Sequence, residues 1–328
     1  MNSNIIKEIN NEYEKKRIKA YNELIQRKED IYSKIPKLKE IDNEINSYAI
    51  KSSKYILLAE SSEKDTYIQE LEKKIEELKN EKNKLLKNAN ISENKLEIEY
   101  ECTICNDTGY VNNEKCSCYK QKLLNISYDN SNLKNFSNHT FENFNIEYYS
   151  DEKDESLNIS PRQNILNIMK ISEKFIENFN EPNQKNLLFT GYTGLGKTYM
   201  SSCIANELLK QGKTVLYQTA PILMDTLIDY KFKKTLDSEK TYKDVFNVDL
   251  LIIDDLGVEA LNSLKYSELF TIINTRLLNT DKVTKTIIST NLSIEDMFKT
   301  YEERTMSRII GNYSICKFIG DDIRIKTR

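Results

Sequence analysis

The run Gly191-Tyr192-Thr193-Gly194-Leu195-Gly196-Lys197-Thr198 has the spacing G-x-x-x-x-G-K-[ST]. Glycines at those positions let main-chain N–H groups curl around the β- and γ-phosphates of a nucleotide, at a helix N-terminus whose dipole favours anions. Lys197 supplies charge to the phosphates and the Thr198 hydroxyl is a Mg2+ ligand, so the implied chemistry is ATP binding with Mg2+. A second set of oxygen atoms follows in Leu250-Leu251-Ile252-Ile253-Asp254-Asp255, an apolar run ending in two carboxylates. Asp254 suits a Mg2+ contact through water, and Asp255 suits a general base that polarises the attacking water. Two adjacent carboxylates with no neighbouring nucleophile or histidine favour hydrolysis of ATP to ADP and phosphate. The same residues, taken alone, also fit a P-loop kinase.

A different chemistry is suggested by four of the six cysteines. Cys102-Thr103-Ile104-Cys105 is C-x2-C, Cys116-Ser117-Cys118 is C-x-C, and Asn106-Asp107-Thr108-Gly109-Tyr110 supplies a glycine turn between them. Two close pairs of thiolates chelate one tetrahedral ion, and four thiolates with no open position make a structural Zn2+ site rather than a catalytic one. A redox dithiol fits less well, because no βαβ pattern surrounds the cysteines; buried free thiols are the other alternative. Cys203 and Cys316 stand alone in apolar segments and read as core residues. The single histidine, His139, reads as a surface residue.

These groups need elements that place them. From 161 to 328 short apolar runs at 186–190, 214–219, 249–253, 286–290 and 314–319 alternate with helix-length stretches, notably 198–210 and 263–278. That alternation predicts an α/β domain with a parallel sheet covered on both faces. The P-loop follows the first run and precedes a helix, and the carboxylates end the third, at the edge where open α/β sheets bind ligands. Residues 1–98 lack glycine and contain one proline, Pro36, which predicts a helical N-terminal region. Ile68, Leu71, Ile75, Leu78 and Leu85 have coiled-coil spacing over about two and a half heptads, equally a hairpin packing on itself and an arm gripping a partner. Residues 99–125 form the cysteine module. Residues 126–160, rich in Asn, Ser and acidic residues, read as a linker interrupted by Thr140-Phe141-Glu142-Asn143-Phe144.

Composition narrows the classes. At 39% hydrophobic and 30% charged, with 8 Gly and 4 Pro, the 328 residues fit neither a fibrous nor a low-complexity chain. No apolar run approaches the roughly 18 residues that cross a bilayer, and no apolar signal segment follows Met1, so a cytosolic protein without a membrane partner is expected. A net charge of -3 gives no global hint of nucleic acid, while leaving room for a local basic groove.

From about 140 onward the chain resembles the AAA+ ATPases, and more narrowly the helicase loaders of the bacterial DnaC/DnaI family, with the transposition helper IstB as a relative. The resemblance rests on Thr140–Phe144, the P-loop, Leu251–Gly257, Ser289-Thr290-Asn291, Glu303–Ile309 and Phe318–Arg324, in that order. It implies that Asn291 is sensor 1, placing the attacking water. It further implies that Arg308 is an arginine finger reaching a neighbouring subunit's ATP and Arg324 is sensor 2. An arginine finger is worth roughly 10³ to 10⁵ in rate in other NTPases. Phe141 and Phe144 resemble the segment packed by the adenine, although either also fits an ordinary core position. The chain ends four residues after Arg324, which fits the lidless loader and IstB branch.

The family also places a helical insertion that touches single-stranded DNA at about 220–248, here containing Tyr230-Lys231-Phe232-Lys233-Lys234. Lys231, Lys233 and Lys234 beside aromatics suit backbone tracking with base stacking, and equally suit a solvated lysine face. Loaders of the DnaI type carry an N-terminal zinc module, and IstB-type helpers lack one. The resemblance therefore implies an ATP-dependent loader that holds a replicative DnaB-type helicase through its N-terminal half. It also implies single-stranded DNA binding and homo-oligomers with ATP at subunit interfaces. The rivals are a transposition helper acting on duplex DNA and a non-catalytic adaptor.

Overall fold

The computed structural model describes residues 3–58, 64–127, 138–153, 158–233, 236–258 and 263–325. The chain divides into two compact units, Asn2–Val111 and Asn112–Arg328. The division falls within the 99–125 module, between the short strands β1 (Tyr110–Val111) and β2 (Glu114–Lys115).

The first unit is helical, with α1 (Ser3–Lys34), α2 (Pro36–Leu58) and α3 (Lys64–Asn88), then a 3-10 turn at Glu93–Leu96. Pro36 opens α2, where its missing N–H costs nothing, and so separates α1 from α2. Leu38 of α2 and Leu86 of α3 bury together with Leu96. Lys82 pairs with Asp42 at 2.5 Å, Lys37 pairs with Glu81, and the Lys74 ammonium lies over the Tyr48 ring. From Leu38 beside Leu86, through Asp42 with Lys82, to Tyr48 with Lys74, numbers rise on α2 as they fall on α3, so these two helices form an antiparallel hairpin. Leu71 is buried there, whereas Ile68, Ile75, Leu78 and Leu85 are half-buried.

The second unit carries the sheet. Its elements are α4 (Ser117–Ser127), α5 (Pro161–Glu177), β3 (Asn186–Thr190), α6 (Lys197–Lys210), β4 (Val215–Thr219), α7 (Ala220–Lys233) and α8 (Leu236–Asn247). These are followed by β5 (Leu250–Leu256), α9 (Ser263–Leu277), β6 (Lys285–Thr290), α10 (Ile294–Thr300), α11 (Glu303–Asn312) and β7 (Tyr313–Lys317). The five long strands are all parallel, in the order β4-β5-β6-β3-β7. Period-2 alternation splits their side chains between two cores. Leu187, Phe189, Val215, Tyr217, Ile252 and Ile287 meet α5 and α6 on one face; Leu188, Leu216, Leu251, Ile253 and Ile288 meet α7, α9 and α11 on the other. Each fully buried Leu or Ile contributes roughly 1.5–3 kcal/mol. The observed strands lie within a residue or two of the expected ones, except that β5 continues to Leu256 through a bulge between Ile253 and Leu256.

Two expectations about the connecting segment change. Residues 138–153, read as linker, pack onto the P-loop face of the sheet, because Phe144 and Tyr149 bury there with Phe141, Ile146 and Tyr148 against them. Those aromatics outweigh the polar composition that suggested a linker. The segment then meets α5, capped by Ser160, whose hydroxyl accepts from the Gln163 N–H at 3.1 Å, with Pro161 at its first turn. Earlier in the chain, α4 also belongs to this unit. Leu124 joins the core, and the Gln121 side chain bonds both main-chain groups of Val215 on edge strand β4, donating to the carbonyl at 2.8 Å and accepting from the N–H at 2.7 Å.

Candidate nucleotide site and cysteine cluster

The P-loop turns between buried β3 and the start of α6. Two of its glycines are required by contact as well as by backbone angle. Gly191 has φ +136°, and a Cβ there would lie 2.5 Å from the Phe318 carbonyl oxygen. Gly194 has φ +76°, with the Asp322 carboxylate where its Cβ would go. The C-terminal segment thus closes on the loop, fixed by Ile323 N–H to the Gly194 carbonyl at 3.0 Å. Arg324 donates to the Thr193 hydroxyl at 3.0 Å, which brings that guanidinium to the phosphate end. Tyr192 projects into solvent, 80% exposed, while Leu195 is buried.

Lys197 is 5% exposed. Its Nζ donates to the carbonyls of Gly191 at 2.6 Å and Tyr192 at 2.7 Å, and to Asn291 Oδ1 at 2.8 Å. Burial pulls its pKa down to about 8, against the charges of Asp255 and Asp254, which favour the ammonium. Thr198 donates its hydroxyl to Asp254 Oδ2 at 3.1 Å. Asp254 is itself buried and also accepts from the Tyr217 and Ser289 hydroxyls. Asp255 is half-buried with φ +54°, and burial, then the charge of Asp254, pushes its pKa up.

A cavity of about 590 Å³ is lined by Gly194, Gly196, Lys197, Thr198, Asp255, Asn291 and Arg324 among others, bringing these seven sequence-predicted positions to one space. It shares Tyr199, Ile323 and Arg324 with a more apolar cavity of about 420 Å³ lined by Phe144, Tyr148 and Tyr149. Phosphates suit the first and a flat aromatic base the second. Phe144 lines that second cavity and meets Tyr199 edge-on at 5.2 Å; Phe141 packs into the adjacent core. Tyr149 donates to the Leu195 carbonyl at 3.0 Å, tying the aromatic segment to the P-loop.

His139 departs from the expectation of a surface residue. Its ring stacks on Tyr199 at 4.1 Å and lines the phosphate-side cavity, and burial lowers its pKa. Tyr199, in the first turn of α6, supplies the face that draws it in. Sequence reasoning also missed Tyr149, Tyr199 and Tyr217; only Tyr217 carried a signal, as a tyrosine within the apolar run of β4.

Arg308 is exposed on α11, outside both cavities. Lys231, expected at DNA, forms an ion pair with Glu268 of α9, a carboxylate with no exposed surface. Phe232 beside it is 76% exposed. Lys233 ends α7, and Lys234 lies outside the described residues.

In the cysteine module, the four Sγ atoms of Cys102, Cys105, Cys116 and Cys118 lie within 4.8 Å of one another. The turn carrying the first pair is held by Asp107, whose carboxylate accepts from the N–H groups of Glu101 and Cys102, both at 2.9 Å. Gly109 donates its N–H to Cys105 Sγ at 3.3 Å, a bond that supports a thiolate. Clustered soft donors with such support fit Zn2+. Thr198 and Asp254, hard oxygen atoms in hydrogen-bond contact beside the phosphate cavity, fit Mg2+. Among the described residues no helix is long and apolar enough to cross a membrane.

Known proteins resemble this chain over its second half. The model of the family described as IstB-like ATP binding protein matches residues 160–328. The "Replicative helicase loader DnaC" of Escherichia coli (strain K12) is 33% identical over 150 residues, covering 45% of this chain and 59% of that protein. The protein of the same name from Buchnera aphidicola (subsp. Acyrthosiphon pisum, strain APS) is 29% identical over 159 residues, covering 48% and 63%. The chain therefore spans about three fifths of the length of these relatives. Among solved structures, a DnaC helicase loader aligns with a TM-score of 0.46 and 24% identity, over 57% of this chain and 99% of that one. With the family model covering just over half of its length, the chain belongs to the IstB-like ATP binding protein family of AAA+ proteins.

Proposed function

We propose that this protein is an ATP-dependent loader of a replicative, DnaB-type helicase onto single-stranded DNA, acting in the cytoplasm. The observation that carries the ATPase part is the convergence of Lys197, Thr198, Asp255, Asn291 and Arg324 on one cavity that continues into an aromatic pocket. Lys197 and the P-loop N–H groups bind the phosphates, and Phe144, Tyr149 and Tyr199 hold the base. Mg2+ would be held by Thr198 with Asp254, where it supplies positive charge to the phosphates. Asp255 accepts a proton from the attacking water, Asn291 orients it, and the products are ADP and phosphate.

Arg308, exposed on α11, serves the ATP of a second copy, so turnover is slow until subunits assemble. Zn2+ would be held by Cys102, Cys105, Cys116 and Cys118 as a structural ion. The helical N-terminal half contacts the helicase, and Lys231, Lys233 and Lys234 contact DNA. The loader reading is supported by the likeness to proteins named DnaC. The family description favours one second reading, a transposition helper acting on duplex DNA.

The deciding experiment adds the full-length protein to the replicative helicase of its own host on single-stranded DNA coated with binding protein, and follows unwinding. Stimulation that requires ATP and disappears in Lys197→Ala supports the loader. No stimulation, with ATP-dependent binding of duplex DNA instead, favours the transposition helper. Stimulation unchanged by Lys197→Ala makes the protein an adaptor.

A further inference from the structure

We propose that Tyr217 and Ser289 are positioning residues that hold Asp254 as an outer-sphere acceptor for the nucleotide's metal and turn Asp255 toward the phosphates. This rests on the reading of the cavity as a Mg2+–ATP site.

Asp254 is surrounded by hydroxyls from three different elements. Thr198 of α6 and Tyr217 of β4 donate to Oδ2, and Ser289 of β6 donates to Oδ1. A carboxylate offers about four lone-pair positions, so three are filled and one remains for a water. A metal bonded directly to Asp254 would have to enter through the single position left among three hydroxyls in a buried setting, where displacing a hydroxyl from its partner costs about 1–3 kcal/mol. Mg2+ keeps several of its waters, and the arrangement suits it: Asp254 orients the Thr198 hydroxyl and would receive one of the ion's waters at its remaining position.

Ser289 has a second task. Successive side chains on a strand face opposite ways, so Asp254 and Asp255 in regular β5 could not both face α6. Asp255 adopts φ +54°, a region that Asp tolerates at some cost, at the bulge that ends regular pairing with β6. Its N–H, displaced from the ladder, goes to Ser289 Oγ at 3.1 Å. One hydroxyl thus accepts from the main chain of one carboxylate residue and donates to the side chain of the other. Along the same strand, Thr290 donates to the Leu256 carbonyl at 2.6 Å, and Asn291 accepts from Lys197. Ser289 and Asn291 thus each reach a group of the site, while Thr290 between them ties the end of β5 to β6 through main-chain contacts.

The test is a titration of Mg2+ against binding of the fluorescent analogue mant-ADP to the full chain, comparing wild type with Tyr217→Phe, Ser289→Ala and Thr290→Val. Loss of such supporting partners typically weakens metal binding 10- to 100-fold. The expected result is an increase of about tenfold or more in the Mg2+ midpoint for Tyr217→Phe and Ser289→Ala, with mant-ADP affinity in EDTA unchanged. Thr290→Val, which removes a hydroxyl from the main-chain contact alone, should lower the melting temperature and leave the midpoint where it was. Tyr217→Phe deletes one oxygen and decides the matter alone if Ser289→Ala does not fold. A wild-type midpoint in Tyr217→Phe, with Mg2+-dependent binding intact in the wild type, overturns the proposal and leaves the ATP site standing. No Mg2+-dependent binding in the wild type overturns both.

Discussion

Replacing Lys197 by methionine should make the nucleotide-free protein more stable while removing its response to nucleotide. The ammonium sits almost wholly out of solvent, and burial lowers its pKa from the ordinary 10.5 to about 8. That difference corresponds to about 3 kcal/mol of unfavourable burial while the group stays charged. Methionine keeps the length of the side chain and discards the charge. The Gly191 and Tyr192 carbonyls lose their donor but border the cavity, where water can reach them, so a net gain of about 1–3 kcal/mol is expected. For a body of this size each kcal/mol moves the melting temperature by about 2–4 °C.

The pH dependence fixes the cause. Below about pH 8 lysine is protonated in both folded and unfolded chains, and the burden is carried in full. Between about 8 and 10.5 the unfolded chain binds more protons than the folded one, so wild-type stability rises with pH relative to Lys197→Met. Urea unfolding in EDTA at pH 7.5 and pH 10 reads the difference directly. An advantage for the variant at pH 7.5 that shrinks by pH 10 is expected, together with no thermal shift on adding ADP. A variant no more stable than wild type at pH 7.5, or equally ahead at both, would falsify the account of Lys197 as a strained, buried cation.

Other consequences are accessible to simple measurements. Arg276, its guanidinium fully enclosed, donates to the Val245 carbonyl at 2.8 Å, the Lys285 carbonyl at 2.7 Å and the Thr286 hydroxyl at 3.0 Å. Arg276→Ala should cost about 3–5 kcal/mol in urea unfolding, since three buried acceptors lose their donor. Asp249 is disfavoured by burial, yet hydrogen bonds from Thr214 and Lys282 hold its pKa below the usual carboxylate value. Asp249→Asn should therefore be less stable at pH 7, with the gap closing as the pH falls below about 4. Burial pushes the Cys203 and Cys316 thiols up to about 12, so they should resist a thiol reagent such as DTNB. The native protein should then show no rapid thiols, and four after strong chelation; rapid reaction before chelation would argue against a bound ion.

The sheet was legible in the sequence because β3, β4, β5 and β6 are buried on both faces, which writes each as a short run with an apolar centre; β7 alternates, with Ile315 and Lys317 exposed. The P-loop was legible because its glycines answer a local steric demand, visible at Gly191 and Gly194. What stayed hidden depends on partners far along the chain. Tyr217 reaches Asp254 from the neighbouring strand, and nothing near residue 217 announces a carboxylate. His139 looked like a surface residue because its stacking partner, Tyr199, lies sixty positions later. The heptad spacing in α3 could not name Asp42 of α2 as the partner of Lys82, since that pairing spans forty positions. The linker reading of 126–160 gives way over 138–153 for a related reason, since composition averages over a segment in which a few aromatics decide the packing, while 128–137 and 154–157 lie outside the described residues.

The bond pair that Gln121 makes with Val215 has a consequence for how copies of this chain can meet. The outward-facing amide and carbonyl of an edge strand are the groups by which a foreign strand would add itself to a sheet. Here a side-chain amide, held on a helix with its own apolar anchor in the core, imitates that strand for a single residue and occupies the docking point. A lone side chain cannot propagate a ladder, so growth of the sheet at β4 stops at its first step. Contact between copies on that flank is thereby left to helices and loops, and the β4 margin is kept from seeding a fibre.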